Sequence, residues 1–187
     1  MTEVKLDRRS KKTRKLLWDG LAKLLLKHDI NEITVKDLTD LVDINRSTFY
    51  IHYKDIHDLL LSIEAELLAE FDELLTCDID PAKDLHAQIL PVLTDLYHNL
   101  YKHKNLSGAF LGPHGDASFI YSLQDLLSTK IHVWWKDEDS DPELRDFYSA
   151  FCFTGCVGII KEWIKSGYKK KPDEMAEITT KLLINGI

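Results

Sequence analysis

Apolar residues recur every three to four positions along most of this chain, the period of amphipathic helices rather than of strands. Leu17, Leu21, Leu24, Leu25 and His28 share one face of a first helix predicted over about 10–27. Thr34 is placed to cap a second helix, with Asp37 three residues on as a variant of the capping box, and Leu38, Leu41 and Val42 facing a core. Asp43 and Ile44 turn the chain, and Asn45 caps a third helix. In that helix Phe49 and Tyr53, at i and i+4, form the buried face, which leaves Arg46, Ser47, Thr48, Tyr50 and His52 outside. Asp55 caps a long fourth helix carrying Leu59, Leu60, Ile63, Leu67 and Phe71, ending near the turn at 77–81.

Beyond Pro81 the pattern predicts a fifth helix from Asp84 to about His103, bent or loosened near Pro91. The stretch SGAFLGPHGD (107–116) reads as a glycine-rich connection, followed by a helix from Ala117 to about Trp135 and the acidic loop KDEDSDP. A strongly apolar helix runs from Pro142 to Ser166 and a last one from Pro172 to Leu183, each with proline at a plausible first helical position. No sustained alternation, internal repeat or low-complexity tract interrupts this. The expectation is an all-α chain of about nine helices.

Charge sharpens the picture. The 187 residues carry a net charge of −7, but residues 1–54 hold 12 Lys/Arg against 8 Asp/Glu while 55–187 hold 12 against 23. A basic head on an acidic body is expected when one end meets phosphates. No apolar run approaches the roughly 20 residues that cross a bilayer, and the basic N-terminus lacks the apolar segment of a secretory signal. Cys77, Cys152 and Cys156 are too few for a disulfide framework. A cytoplasmic protein is expected. There is no phosphate-binding glycine loop, no metal-ligand spacing among the eight His, and no nucleophile with a visible base. Neither an enzyme nor a cofactor is therefore expected.

Two short helices joined by a tight turn, the second rich in groups that touch phosphates or base edges, are the sequence form of a helix-turn-helix. Over Arg9 to Leu60 the chain resembles the TetR family of bacterial transcriptional regulators. The likeness rests on Thr13-Arg14 before an apolar helix, on Ile33-Thr34-Val35 opening the second helix, and on RSTFYIHYKD from Arg46 to Asp55. Where that family usually has a small alanine and a glycine, this chain has Thr39 and Asp43, and Ile56 stands where a lysine is frequent. Aspartate tolerates the left-handed conformation such a turn requires, less easily than glycine; Thr39 adds bulk between the two helices.

The resemblance implies a DNA-binding head over 1–54 and a helical effector-binding and dimerisation domain over 55–187. Arg46 is the first candidate for base reading, because a guanidinium makes a two-pronged bond to guanine. Ser47 and Thr48 suit a base, a thymine methyl or a phosphate, and Tyr50 and His52 resemble the family's phosphate-contacting aromatics. Thr13, Thr34, Lys36, Asn45 and Lys54 complete the expected DNA-contacting set. In the second domain, Phe71, Tyr97, Tyr101, Phe110, Trp134, Trp135 and Phe151 are aromatics that could line an effector pocket, with His98 and His132 as polar groups. Aromatics at helical spacing are more often plain core, and that is the alternative reading of each.

Gly155 and Gly158 each lower helix propensity by about 1 kcal/mol, which points to a packing reason, so they, Ile159 and Trp163 are candidates for a dimer interface. Cys152 and Cys156, one turn apart, are either inert packing residues or a redox pair. The leading expectation is a repressor that binds a near-palindromic double-stranded operator as a homodimer and is released by a small apolar effector. The alternative is a regulator without a small effector, whose acidic domain binds a partner protein as co-activator or anti-repressor.

Overall fold

The computed structural model describes residues 2–76, 79–80, 82–112, 117–134 and 141–185, with side chains from residue 10 onward and outside 117, 131–134 and 142. Among the described residues there are nine α-helices, one 3-10 turn and no strand. The helices are α1 (Thr2–Leu25), α2 (Val35–Leu41), α3 (Arg46–His52), α4 (Ile56–Leu74), α5 (Leu85–Lys102), α6 (Lys104–Leu111), α7 (Ala117–Trp134), α8 (Pro142–Lys165) and α9 (Pro172–Asn185). No helix among the described residues is long and apolar enough to cross a membrane. The chain divides into two compact units, Met1–Glu66 and Leu67–Ile187, so the division falls inside α4.

The first unit is built from α1, α2, α3 and the first half of α4. Leu17 and Leu21 of α1, Leu38 of α2, Phe49 of α3 and Leu59 and Ile63 of α4 are fully buried. His28, expected on the apolar face of α1, lies beyond the end of that helix and is exposed. The caps are local and form as the residue types dictate. Thr34 Oγ accepts from the Asp37 N–H at 3.2 Å while the Asp37 carboxylate accepts from the Thr34 N–H at 3.0 Å. The Thr34 hydroxyl also donates to the Asp37 carboxylate at 2.5 Å, and this bond, followed by that from the Thr34 N–H, holds the Asp37 carboxyl below the usual carboxylate range. Asn45 Oδ1 accepts from the Ser47 N–H at 2.9 Å, and Asp55 Oδ1 from the Asp58 N–H at 2.8 Å.

Close approach of α1 to α2 depends on Gly20. A Cβ there would stand 2.4 Å from Val42 Cγ1 and 2.8 Å from Leu38 Cδ1, well inside contact distance. Thr39, the bulkier residue at the family's alanine position, is 1% exposed; its hydroxyl donates to the Val35 carbonyl at 2.8 Å and lies 3.2 Å from the Lys36 carbonyl. A buried hydroxyl satisfied within its own helix adds bulk without leaving an orphaned donor.

In the second unit α5 and α9 make the most extensive helix–helix contact, and α7 packs on α8. At the centre of the α5–α9 contact the fully buried Tyr97 bonds through its hydroxyl to Thr179 Oγ at 2.6 Å. Thr179→Val strands that hydroxyl without a partner and is expected to cost about 1–3 kcal/mol in urea unfolding. Adding Tyr97→Phe should recover part of the loss, because both ends of the bond are then gone; a double variant less stable than the single one would show that the bond is not what holds these groups.

One element differs from the sequence expectation. Residues 104–111 form α6 rather than a loop, although the segment contains Gly108. Leu106, Ala109, Phe110 and Leu111 are buried, and the Ser107 hydroxyl donates to the Leu100 carbonyl at 2.9 Å. That burial outweighs the propensity cost of one helical glycine. Gly112 then ends the helix where a Cβ would collide with the Gly108 carbonyl oxygen at 2.1 Å. Residues 113–116 of the expected connection and 136–140 of the acidic loop lie outside the described residues, as does Cys77. Pro91 lies on the exposed side of α5, which continues through it.

Candidate DNA-reading head and apolar cavity

The turn between α2 and α3 is made by Asp43, whose φ of +52° is left-handed, and is closed by the Ile44 N–H on the Thr39 carbonyl at 3.1 Å. Aspartate therefore does here what glycine does more cheaply. α3 is anchored by Phe49, 0% exposed, and by Tyr53 just beyond its end, 6% exposed. The Tyr53 hydroxyl accepts from Arg14 Nε at 3.2 Å and from Trp18 Nε1 at 3.1 Å, and the Arg14 guanidinium also pairs with Glu66. Arg14 thus belongs to the scaffold that fixes the end of α3 to α1.

With that face inward, Arg46, Ser47 and Tyr50 are exposed, and Thr48 and His52 are half-buried. Lys36 and Lys54 are exposed and Thr13 is half-buried. Two of the expected contact residues are already committed within the head. The Thr34 hydroxyl is held in the cap of α2, and Asn45 Oδ1 accepts from both the N–H and the hydroxyl of Ser47. Ser47 can donate its hydroxyl to DNA only by releasing Asn45. Ile56, at the family's lysine position, is 6% exposed and belongs to the core. Sequence reasoning missed Ile51, which is 77% exposed on α3. Its two-residue offset from both Phe49 and Tyr53, roughly 200° around a helix, was the available signal.

The second unit holds a cavity of about 450 Å³. Its walls are aliphatic residues of α5, α6, α7 and α9, Phe71 and Leu75 from the α4 end, and one side of α8 from Tyr148 to Ile160. That volume lies in the range of small-molecule pockets. Of the aromatics expected to line it, Phe71 does. Tyr97 instead packs edge-on against Trp163 at 5.2 Å, Tyr101 stacks on Trp163 at 6.1 Å, and Phe110 packs on Phe119 at 5.0 Å. Phe151 is 69% exposed on the side of α8 away from the cavity-lining residues. His98 lies outside the lining and bonds through Nε2 to Asp173 at 3.0 Å. Trp135 and the side chains of His132 and Trp134 lie outside the described residues.

Where Phe151 was expected, α8 instead lines the cavity with Tyr148, Cys152, Cys156 and Ile160 among others. Burial pushes both thiols up, that of Cys156 to about 12, so neither is a thiolate at neutral pH. Among the described residues no group of side chains is arranged to hold a metal ion. On the other side of α8, Gly155 and Gly158 have nothing within 4 Å of where a Cβ would stand, and Ile159 is half-buried. Trp163 faces inward and is not part of that open side: it is 3% exposed, and its indole N–H donates to the Lys170 carbonyl at 2.9 Å.

Residues 87–185 match the family described as the transcriptional regulator C-terminal region of TetR type. The chain belongs to the TetR family of transcriptional regulators. Its all-helical fold is shared with solved members at low identity. The fatty acid degradation regulator FadR from Bacillus halodurans superposes with a TM-score of 0.71 at 14% identity, over 93% of this chain and 95% of that one. FadR from Bacillus subtilis, solved in complex with stearoyl-CoA, gives 0.68 at 14% identity, over 92% and 98%. A TetR regulator from Streptococcus agalactiae gives 0.63 at 22% identity, over 98% and 99%. No curated protein matches the sequence. The family and these neighbours are regulators of transcription.

Proposed function

We propose that this TetR-family regulator is a repressor that binds a near-palindromic operator as a homodimer and is released by a small apolar effector. The observation that carries the reading is the division of α3: Phe49 and Tyr53 fix it to the head, while Arg46, Ser47 and Tyr50 stay exposed. Arg46 at the first position of α3 reads a base edge in the major groove. Tyr50, His52, Lys36, Lys54 and Thr13 bind phosphates and set the register, and Ile51 offers an apolar contact to a thymine methyl. One such head covers half a site, so a palindrome calls for two. The open side of α8, with Leu144, Phe147 and Phe151 at 56%, 66% and 69% exposure beside Gly155 and Gly158, supports pairing through this helix. The 450 Å³ cavity supports a small effector over a purely protein-mediated regulator, whose second unit would be expected to be filled.

Selection of bound fragments from a random DNA pool tests the reading: an inverted repeat is expected, and no enrichment at low salt would overturn it. On the selected site Arg46→Ala should cost about 1–3 kcal/mol and relax preference at one base pair, whereas Lys54→Ala should weaken all sequences about equally. Fluorescence anisotropy over single-base variants of the operator separates the two patterns. An Arg46→Ala protein with unchanged preference at every position would remove the base-reading role.

A further inference from the structure

We propose that the cavity of the second unit selects an uncharged, hydrocarbon-rich ligand with one hydrogen-bonding oxygen, which the Tyr148 hydroxyl anchors. This rests on the effector reading above and adds to it the ligand's charge state and its point of attachment. Among the described residues no Asp, Glu, Lys, Arg or His lines the cavity. A carboxylate or ammonium carried into it would lose its hydration and meet no opposite charge, whereas each methylene gains by leaving water. Roughly 15 non-hydrogen atoms fit, at about 30 Å³ each as in a liquid.

Among the described lining residues the polar side chains come from one helix. Tyr148, Cys152 and Cys156 follow one another at intervals of four along α8, so they form a line down one wall. Tyr148 is 37% exposed and Cys152 only 6%, which puts the phenol at the rim and the first thiol in the wall. Burial raises the Tyr148 hydroxyl to about 12 and raises both thiols, so all three keep their protons at neutral pH. The wall therefore presents neutral donors, suited to a carbonyl or hydroxyl oxygen. The Tyr148 hydroxyl interacts with the Cys152 sulfur, a weak acceptor that a ligand oxygen improves upon. The preference for an oxygen-bearing neutral molecule follows from that exchange.

The test compares 2-undecanone, undecane and undecanoate, three probes of equal carbon number, for binding to the full-length protein by calorimetry at about pH 8, where the acid is ionised. The ketone is expected to bind at least about tenfold more tightly than the carboxylate, the differential cost of one unpaired charge. Tyr148→Phe is expected to narrow the advantage of ketone over alkane by about two- to tenfold, the worth of one neutral hydrogen bond, while leaving undecane binding in place. Undecanoate binding as tightly as the ketone would overturn the charge selection and leave the effector reading standing. A ketone-to-alkane ratio unmoved by Tyr148→Phe would overturn the anchor. Failure of all three probes to bind the wild-type protein would overturn this proposal and the effector reading together.

Discussion

Phe49→Ala is expected to unfold most of the DNA-reading head while sparing the second unit. Phe49 is 0% exposed and fixes α3. Its ring packs edge-on against Tyr50 at 5.5 Å and tilted against Tyr53 at 5.9 Å. Truncating a buried phenylalanine costs about 3–5 kcal/mol, transfer and cavity together. A unit the size of Met1–Glu66 has a total stability of about 3–10 kcal/mol at typical values per residue. The loss is thus comparable to everything holding the head together. Amide hydrogen exchange resolves the effect by segment: protection over α2 and α3 should collapse, protection over α5 and α9 should persist, and operator binding should disappear. Ile51→Ala is the control on the same helix, since a side chain 77% exposed contributes within about 0.5 kcal/mol. Unchanged protection of α3 in Phe49→Ala would mean that the helix is anchored elsewhere.

The contrast between these neighbours explains what was legible in the sequence. Caps and short helices are decided within four or five residues, so Thr34 with Asp37, Asn45, Asp55 and the i, i+4 pair Phe49 and Tyr53 could be read directly. The left-handed turn at Asp43 was implied by the family resemblance, whose usual glycine there aspartate can replace. Non-local placements were hidden. α6 looked like a loop because Gly108 and Ser107 carry turn propensity; the burial that overrides it involves residues far along the chain. α8 is apolar around its circumference, so periodicity could not say which side faces the cavity, and Phe151 was assigned to the wrong one. Trp163 turned inward because the chain reverses after α8 through Gly167 and Tyr168, at φ +74° and +59°, and brings the Lys170 carbonyl to its indole N–H. Arg14 enters from sequence as part of the Thr13-Arg14 motif of the family; its partners Tyr53 and Glu66 lie 39 and 52 residues away, beyond the reach of local reading.

Phe151→Asp is expected to leave the subunit folded, convert the proposed dimer to a monomer and lower operator affinity by about 10²–10⁴-fold, the advantage of two linked heads over one. At 69% exposure the side chain contributes little to its own subunit, so the melting of a dilute sample should barely move. In the proposed pairing the same position is buried against a second α8, where an unpaired carboxylate is strongly disfavoured. Sedimentation velocity reports the mass, and anisotropy on full and half operators reports the affinity; weak salt-dependent binding through Lys36 and Lys54 should survive. A variant that stays dimeric with wild-type affinity would show that pairing uses another surface. If the variant is monomeric, a further consequence follows from α8 itself. One side of that helix carries Tyr148, Cys152 and Cys156 into the cavity, and the other carries Phe147, Phe151, Gly155 and Gly158 to the open face. A close-packed helix moves as a unit and cannot absorb a displacement on one side only. A ligand that shifts α8 must therefore change the affinity of the subunits for one another, and by reciprocity the dimer and monomer must bind that ligand with different affinity. Comparing 2-undecanone binding to wild-type protein and to Phe151→Asp measures that coupling, and equal affinities would place the transmission from cavity to DNA outside α8.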